Sequence, residues 1–582
     1  MHLYRTKRGV CLLLAAVLLL ALLTGCAQEE RGTLPLREAY WTNGYIDMVA
    51  FDQMEYIRPD VDAFAEQVDK LIGRLQAEEI SLFWAKRALG EIDTAYYTYD
   101  TMTTLAEIRH DIDMTDAYYR DEYAYCSNGY VEVQQKLDAL YAACAASPLA
   151  SELENFLGEG FLDGYDGDYA YPEEYVALQR KENELLMEYY DRTADMTIPY
   201  GGGDYTFGGL YQAASAGELD DLTPSAALDL YYDTFNESVG AIYVELVKVR
   251  QQMAALYGYE SYVDMAYEFN GRDYTLDVVQ TYIAAIREQL VPLYRRAGEA
   301  GLLDSAQDTA MLKPRKALLA VEQAADAMGG AAQEAMEYLM AYHLYDIDGS
   351  NTKYNGSYEI YLEDYESPFM LVNSIGYSED TLTIAHEFGH FVDDFVNYGM
   401  YKSTDVNETI SQGMEYLTLC YLQDDALCEE LTQYKLADTL RLYAEQASYN
   451  AFEEQVYALP AEEVTLENIN AISLQTARDY GMIGSWSDTY YAKSWIDITH
   501  FFESPLYIIS YCVSDSAAVQ MYEHELAAPG EWLAAFYEYV DQAPDETFFD
   551  LIVLCGLEDP LSTAQITALA AMIEQQLFGS IE

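Results

Sequence analysis

Five consecutive residues, His386-Glu387-Phe388-Gly389-His390, place two imidazoles and a carboxylate at a spacing suited to metal-assisted hydrolysis. On a helix, positions i and i+4 lie on one face one turn apart, so both rings can close on a single ion with Glu387 beside it as a base. Only seven histidines occur in 582 residues, so the pattern is not readily met by chance. The flanks read as helix: Thr381-Leu382-Thr383-Ile384-Ala385 leads in, and Phe388, Phe391, Val392, Phe395 and Val396 recur at helical spacing. Asp380 or Ser378 is placed to cap its start. Burying two histidines and a glutamate without a cation is costly, so the pattern reads as a zinc site.

A structural zinc site closes all four positions with protein, whereas a catalytic one keeps three ligands and a water. A third histidine beyond a glycine is ruled out, because Asp393 stands where that glycine would be and Val396 where the histidine would be. After a break at Asn397-Tyr398-Gly399, Glu408, Ser411, Gln412 and Glu415 share one face of a second helix. Glu408 is therefore read as the third ligand. Glu415, or Asp393 on the first helix, is placed to orient a ligand imidazole by accepting its second N–H.

With these residues in view, the chain resembles a known family. Ser367-Pro368-Phe369-Met370-Leu371-Val372-Asn373, then Asp380-Thr381-Leu382, then the zinc motif, and the Glu408 to Glu415 segment are similar to the active-site region of thimet oligopeptidase and oligoendopeptidase F, a family of zinc metallopeptidases. The local signature also suits thermolysin-like enzymes. A distant segment, His500-Phe501-Phe502-Glu503-Ser504-Pro505-Leu506-Tyr507-Ile508-Ile509-Ser510-Tyr511, resembles the oligoendopeptidase F stretch whose His and Tyr side chains face the zinc. That resemblance implies that His500, Tyr507 and Tyr511 hydrogen-bond the substrate and its developing oxyanion, for which phenol and imidazole donors are suited. Ile509 stands where relatives often carry a further tyrosine. Arg109 to Tyr125, Arg250 to Tyr262 and Trp532 to Pro560 extend the similarity over most of residues 40 to 575. The family's glycine-rich substrate loop is reduced here to Gly356-Ser357-Tyr358.

The elements that must position these groups read as mostly α. Long periodic stretches such as Val61 to Gln76 and Ala226 to Tyr257, with few prolines, give helices, and short strands are expected between Tyr358 and Val372. The resemblance implies a zincin-like oligopeptidase fold, with a small β element beside the motif helix and a deep substrate channel. Gly201-Gly202-Gly203 and Phe207-Gly208-Gly209 mark a subdomain boundary, dividing a helical part at 37–203 from a catalytic region at 204–582. Asp163 to Asp168 lacks the spacing and terminal Glu of a calcium loop and reads as a solvated turn.

At the N-terminus, Arg5, Lys7 and Arg8 precede an apolar run from Val10 to Leu23, short for a membrane span, that ends in Leu23-Thr24-Gly25-Cys26. The tetrad resembles a bacterial lipoprotein cleavage box. It implies a signal peptide at 1–25, lipidation of Cys26, a tether at 26–36, and an exported protein anchored to the membrane and facing outward. Cleavage removes three basic residues and no acidic ones, leaving 28 Lys and Arg against 99 Asp and Glu, a net charge of −71. Nucleic acid is excluded as a partner by such a field, and solubility is its plain consequence. Beyond Cys11 and Cys26 there are six cysteines, whose pairing stays open; Cys420 and Cys428 are too far apart to bridge if they share one helix.

These features lead to an exported, lipid-anchored, zinc-dependent endopeptidase acting on short unfolded oligopeptides. Glu387 would take a proton from the attacking water and pass it to the leaving amine. A zinc carboxypeptidase or dipeptidyl carboxypeptidase, or a surface protein that binds peptides without turnover, are the alternatives.

Overall fold

A computed structural model describes residues 39–41, 44–46, 49–158, 160–165, 173–194, 196–219, 221–303, 309–484, 486–544 and 546–579. The expected signal peptide at 1–25, Cys26, the expected tether at 26–36 and residues 166–168 of the expected acidic turn lie outside the described residues. No described helix is long and apolar enough to cross a membrane.

The body is mostly helical, and local sequence explains where its helices begin and end. Helix α1 (Val61–Gln76) has the expected bounds: Asp60 accepts from the Ala63 N–H at 2.9 Å, and Val61, Phe64, Val68, Leu71 and Leu75 bury one face. With α2 (Leu82–Ile112), α3 (Ala117–Ala145) and α4 (Ala150–Leu157) it forms a core of its own, built on residues such as Leu89, Ile92, Val133, Leu140 and Leu153. The second core is larger and holds the rest of the helices. Residue 203, the expected boundary, falls in a hairpin that pairs Ile198–Tyr200 with Gly203–Tyr205; Gly201 and Gly202 adopt φ of 60° and 91° in its turn. Helix α5 (Pro224–Tyr257) starts two residues before the expected Ala226, because Thr223 caps it through the Ala226 N–H and Pro224 suits the first turn.

A three-stranded sheet supports the motif helix. Its strands β1 (Tyr345–Asp346), β2 (Ser357–Leu362) and β3 (Ser367–Val372) lie in the order β1-β3-β2, with β1 parallel and β2 antiparallel to β3. All six residues of β3 are buried, as a central strand covered on both faces requires. Gly356-Ser357-Tyr358 is the entry to β2 and not a free loop: Ser357 pairs with Val372, and the Tyr358 hydroxyl donates to Asp111 of α2 at 2.9 Å. Lys353, fully buried, donates to the carbonyls of Asp346, Asp348 and Val372 and to the Asp346 carboxylate, tying β1 to the end of β3.

Three helices complete the frame: α6 (Asp380–Asn397), packed on the sheet, then α7 (Thr404–Tyr421) and α8 (Asp425–Tyr457). A short helix α9 (Thr499–Glu503) and α10 (Ile509–Ala527) follow, and α7 packs between α6 and α10.

Candidate metal centre

Helix α6 carries His386, Glu387 and His390, and neither residue expected to cap it does so. Glu379 holds the cap position but its carboxylate accepts from the Thr309 hydroxyl and not from the helix, Asp380 accepts from the N–H groups of Ile375 and Gly376 at 3.0 and 2.8 Å, and Ser378 donates to Glu430 at 2.5 Å. The start of the helix is thus fixed by the preceding turn. Gly389 has a separate task. A Cβ there would lie 2.6 Å from the Ser411 Cα and 3.0 Å from the Ile410 carbonyl, so its absence lets α7 close on α6.

That close approach brings one ligand atom each from His386, His390 and Glu408 within 4.8 Å of one another. The two rings stand edge to face with centroids 5.1 Å apart, and the His386 Nε2 lies 3.5 Å from a Glu408 oxygen. His386 keeps 19% of its side-chain surface exposed and Glu408 only 3%, so the imidazole side of the group opens outward. Two imidazole nitrogens and one carboxylate oxygen, with a side left open, match the donor set of a catalytic zinc site.

The electrostatics fit a cation. Burial pushes Glu387 up to about 7, against the opposing pull of His386, with Glu408 and Glu415 adding to the rise. Burial lowers His390 to about 4, which keeps its ring neutral and able to ligate. Burial works against ionised Glu408, but the hydrogen bonds from His386 and Tyr507 and the neighbouring imidazoles hold it down at about 2. For His386, burial disfavours the charged ring and is outweighed by hydrogen bonds with Glu408 and Glu415, which raise it well above the usual value. Three carboxylates thus surround two half-buried imidazoles, a setting that suits a divalent ion.

The second nitrogen of His386, Nδ1, is 2.9 Å from Glu415 and has no bond to Asp393. Asp393 accepts instead from the Lys402 ammonium at 3.0 Å and from the Asn397 amide at 2.7 Å, which fastens the end of α6. The other Glu415 oxygen meets Lys435 of α8 at 2.8 Å.

His500, Tyr507 and Tyr511 cluster beside these candidate ligands. The ring centroids are 5.6 Å apart for His500 and Tyr507 and 5.5 Å for the two tyrosines, and the His500 Nε2 lies 3.2 Å from the Tyr511 hydroxyl. The Tyr507 hydroxyl donates to Glu408, so the two tyrosines differ: one bonds a ligand, the other faces His500. Two arginines from earlier helices and turns hold this segment. Arg250 of α5 donates to the carbonyls of Phe501 (3.0 Å) and Phe502, next to His500. Arg272 donates to the Leu506 carbonyl at 2.6 Å and the Ser510 hydroxyl at 3.0 Å. Leu506 itself adopts φ of 60°, a conformation leucine disfavours, and its N–H donates to Glu453 at 2.9 Å. Sequence reading missed Arg272, Lys435 and Glu453 and did not assign Arg250. The available signal was scarcity: with 31 Lys and Arg in 582 residues, a cation inside an apolar helical stretch is conspicuous.

The six cysteines outside the N-terminal segment are free. Cys420 and Cys428 do not share a helix, since α7 ends at Tyr421 and α8 begins at Asp425; the Cys428 thiol donates back to the Leu419 carbonyl at 3.3 Å.

Residues 51–168 match the Peptidase M3 N-terminal domain. No match was found among curated proteins. Among solved structures, an oligoendopeptidase F aligns at a TM-score of 0.75 and 21% identity, covering 91% of this chain and 99% of its own. Pz peptidase A, solved with an inhibitor, gives the same values. Oligoendopeptidase F from Enterococcus faecium aligns at 0.55 and 16% identity, covering 89% of this chain and 97% of its own. The chain therefore has the fold of the oligoendopeptidase F and Pz peptidase A structures, with a match to the Peptidase M3 N-terminal domain over residues 51–168.

Proposed function

We propose that this chain is a Peptidase M3-type zinc endopeptidase that cuts short unfolded oligopeptides. The observation that carries the reading is the convergence of His386, His390 and Glu408 beside the buried carboxyl of Glu387. Zinc held by these three residues would polarise the scissile carbonyl and make the attacking water acidic. Glu387 takes the proton from that water and delivers it to the leaving amine. His500 and Tyr511 share one hydrogen bond, so with the His500 Nε2–H given to the Tyr511 oxygen the Tyr511 hydroxyl proton is free for the oxyanion, while Tyr507 steadies Glu408 through its hydroxyl. Half-burial of His386, His390, His500, Tyr507 and Tyr511 in an otherwise buried region favours a recess that admits an extended peptide and excludes a folded one.

The same proposal puts the enzyme at the outer face of the membrane, held by a lipid on Cys26. Its support is the sequence from Arg5 to Cys26.

The test is cleavage of internally quenched peptides blocked at both ends. An endopeptidase cuts them, loses the activity with a chelator and regains it with zinc. Cleavage only of peptides with a free C-terminus would make the enzyme a carboxypeptidase or dipeptidyl carboxypeptidase, and peptide binding without turnover would make it a binding protein.

A further inference from the structure

Lys435 is 2% exposed and sits within α8, a helix that contributes no proposed ligand. A buried ammonium needs a reason, since taking it out of water costs several kcal/mol unless it is well paired. Its contacts are specific. Nζ lies 2.8 Å from the Glu415 Oε2 and 3.9 Å from an Asp515 oxygen on α10, and 4.9 Å from the centre of the Tyr416 ring. Tyr416 in turn donates to Asp515 at 3.1 Å.

Glu415 thereby has one partner on each oxygen: Lys435 on Oε2 and the His386 Nδ1 on Oε1. Ionised, a carboxylate only accepts, so Nδ1 is the donor, and when the ring gives up its other proton to hold a metal the remaining one resides there. The bare nitrogen is then Nε2, the atom that faces Glu408 at 3.5 Å. With its Oε2 anchored, the carboxylate cannot turn away from the imidazole. We propose that Lys435 is a positioning residue of the metal centre, acting through Glu415 to fix the tautomer and direction of His386. This rests on the zinc-peptidase reading of the site and extends it to a third helix, so that α6, α7 and α8 are joined by one chain of bonds ending at the ligand. Outer partners of this kind typically govern about 10- to 100-fold in metal affinity.

A plain charge-compensating lysine would have the same burial, so the test must separate the two. Zinc affinity, measured by competition with a chromogenic chelator, is compared for the full chain, Lys435→Met, Glu415→Gln and the double variant, with unfolding of each metal-free protein measured alongside. The expected result is a loss of about 10- to 100-fold for Lys435→Met, a similar loss for Glu415→Gln, and no further loss in the double variant, because both act through one bond to His386. Lys435→Met with native zinc affinity overturns the proposal, and so do losses that multiply in the double variant. If Lys435→Met does not fold, the double variant, whose buried pair is neutral, carries the same test: native zinc affinity in it overturns the relay. Affinity is read independently of turnover. A native chain that binds zinc but cuts no peptide therefore removes the peptidase reading while the affinity losses still support the relay, and a native chain that cuts peptides with equal affinities in all variants removes the relay alone.

Discussion

His500 and Tyr511 are joined by one hydrogen bond and share a half-buried position, so one can donate to a new negative oxygen while the other holds it in place. His500→Ala and Tyr511→Phe are each expected to lower kcat about 10²- to 10³-fold with little change in bound zinc, measured by steady-state cleavage and metal analysis. An unchanged kcat for both would exclude them as oxyanion donors. Much at this scale was legible in advance because it is local: His386, Glu387 and His390 sit within five residues, and the 408, 411, 412, 415 spacing describes one face of a helix whose members are all buried. What was not legible is pairing over distance. Glu415 and Asp393 are equally plausible partners for an imidazole from sequence, and only the positions of Lys402 and Lys435, one beside each carboxylate, separate them. Arg250 reaches a carbonyl 251 residues away, and no periodicity encodes that.

Gly389 shows how an element depends on one missing atom. With its Cβ position 2.6 Å from backbone of the facing helix, Gly389→Ala forces α6 and α7 apart. The expected cost is about 1–3 kcal/mol in denaturant unfolding together with weaker zinc binding, since His390 and Glu408 lie on opposite sides of the contact. Full stability and native zinc affinity in this variant would mean that the two helices do not need that approach. At this scale the helices were largely readable: α1 has its expected ends because both a capping Asp and an apolar face mark them. The start of α6 was not, since the turn before it consumes the Asp380 carboxylate. The strands expected between Tyr358 and Val372 are present as β2 and β3, whereas the pairing of Ser357 with Val372, which takes Gly356-Ser357-Tyr358 out of a loop, is a tertiary choice that the sequence does not encode.

For the whole molecule, acidity is the dominant property, and part of it is buried or half-buried. Asp93, Glu107 and Glu445 are each raised to about 7, and Glu363 and Glu453 to about 8, with burial the largest cause in every case. A carboxyl whose pKa is higher folded than unfolded binds its proton more tightly in the native state, so the stability it contributes is present below about pH 4.5 and is lost as pH rises toward about 8. Self-repulsion of a chain with net charge −68 acts in the same direction. Glu408, held down at about 2, acts oppositely but only in more acidic solution. The metal-free protein is therefore expected to melt at higher temperature near pH 5 than near pH 8, by calorimetry; a higher Tm at about pH 8 would contradict this. The proposed lipid anchor is also tested on the whole chain. Cys26→Ala is expected to abolish incorporation of a fatty-acid label and release the protein from the membrane fraction, and retention of the label would remove Cys26 as the anchor.

The central claim concerns Glu387 beside a zinc held by His386, His390 and Glu408. Its most direct measurement pairs zinc content with cleavage of an end-blocked, internally quenched peptide for the native chain and Glu387→Gln. Glu387→Gln should keep about one zinc per chain and lose cleavage by at least about 10²-fold. A Glu387→Gln protein that cleaves as fast as the native chain, or a native chain that cleaves with no metal bound, would contradict it.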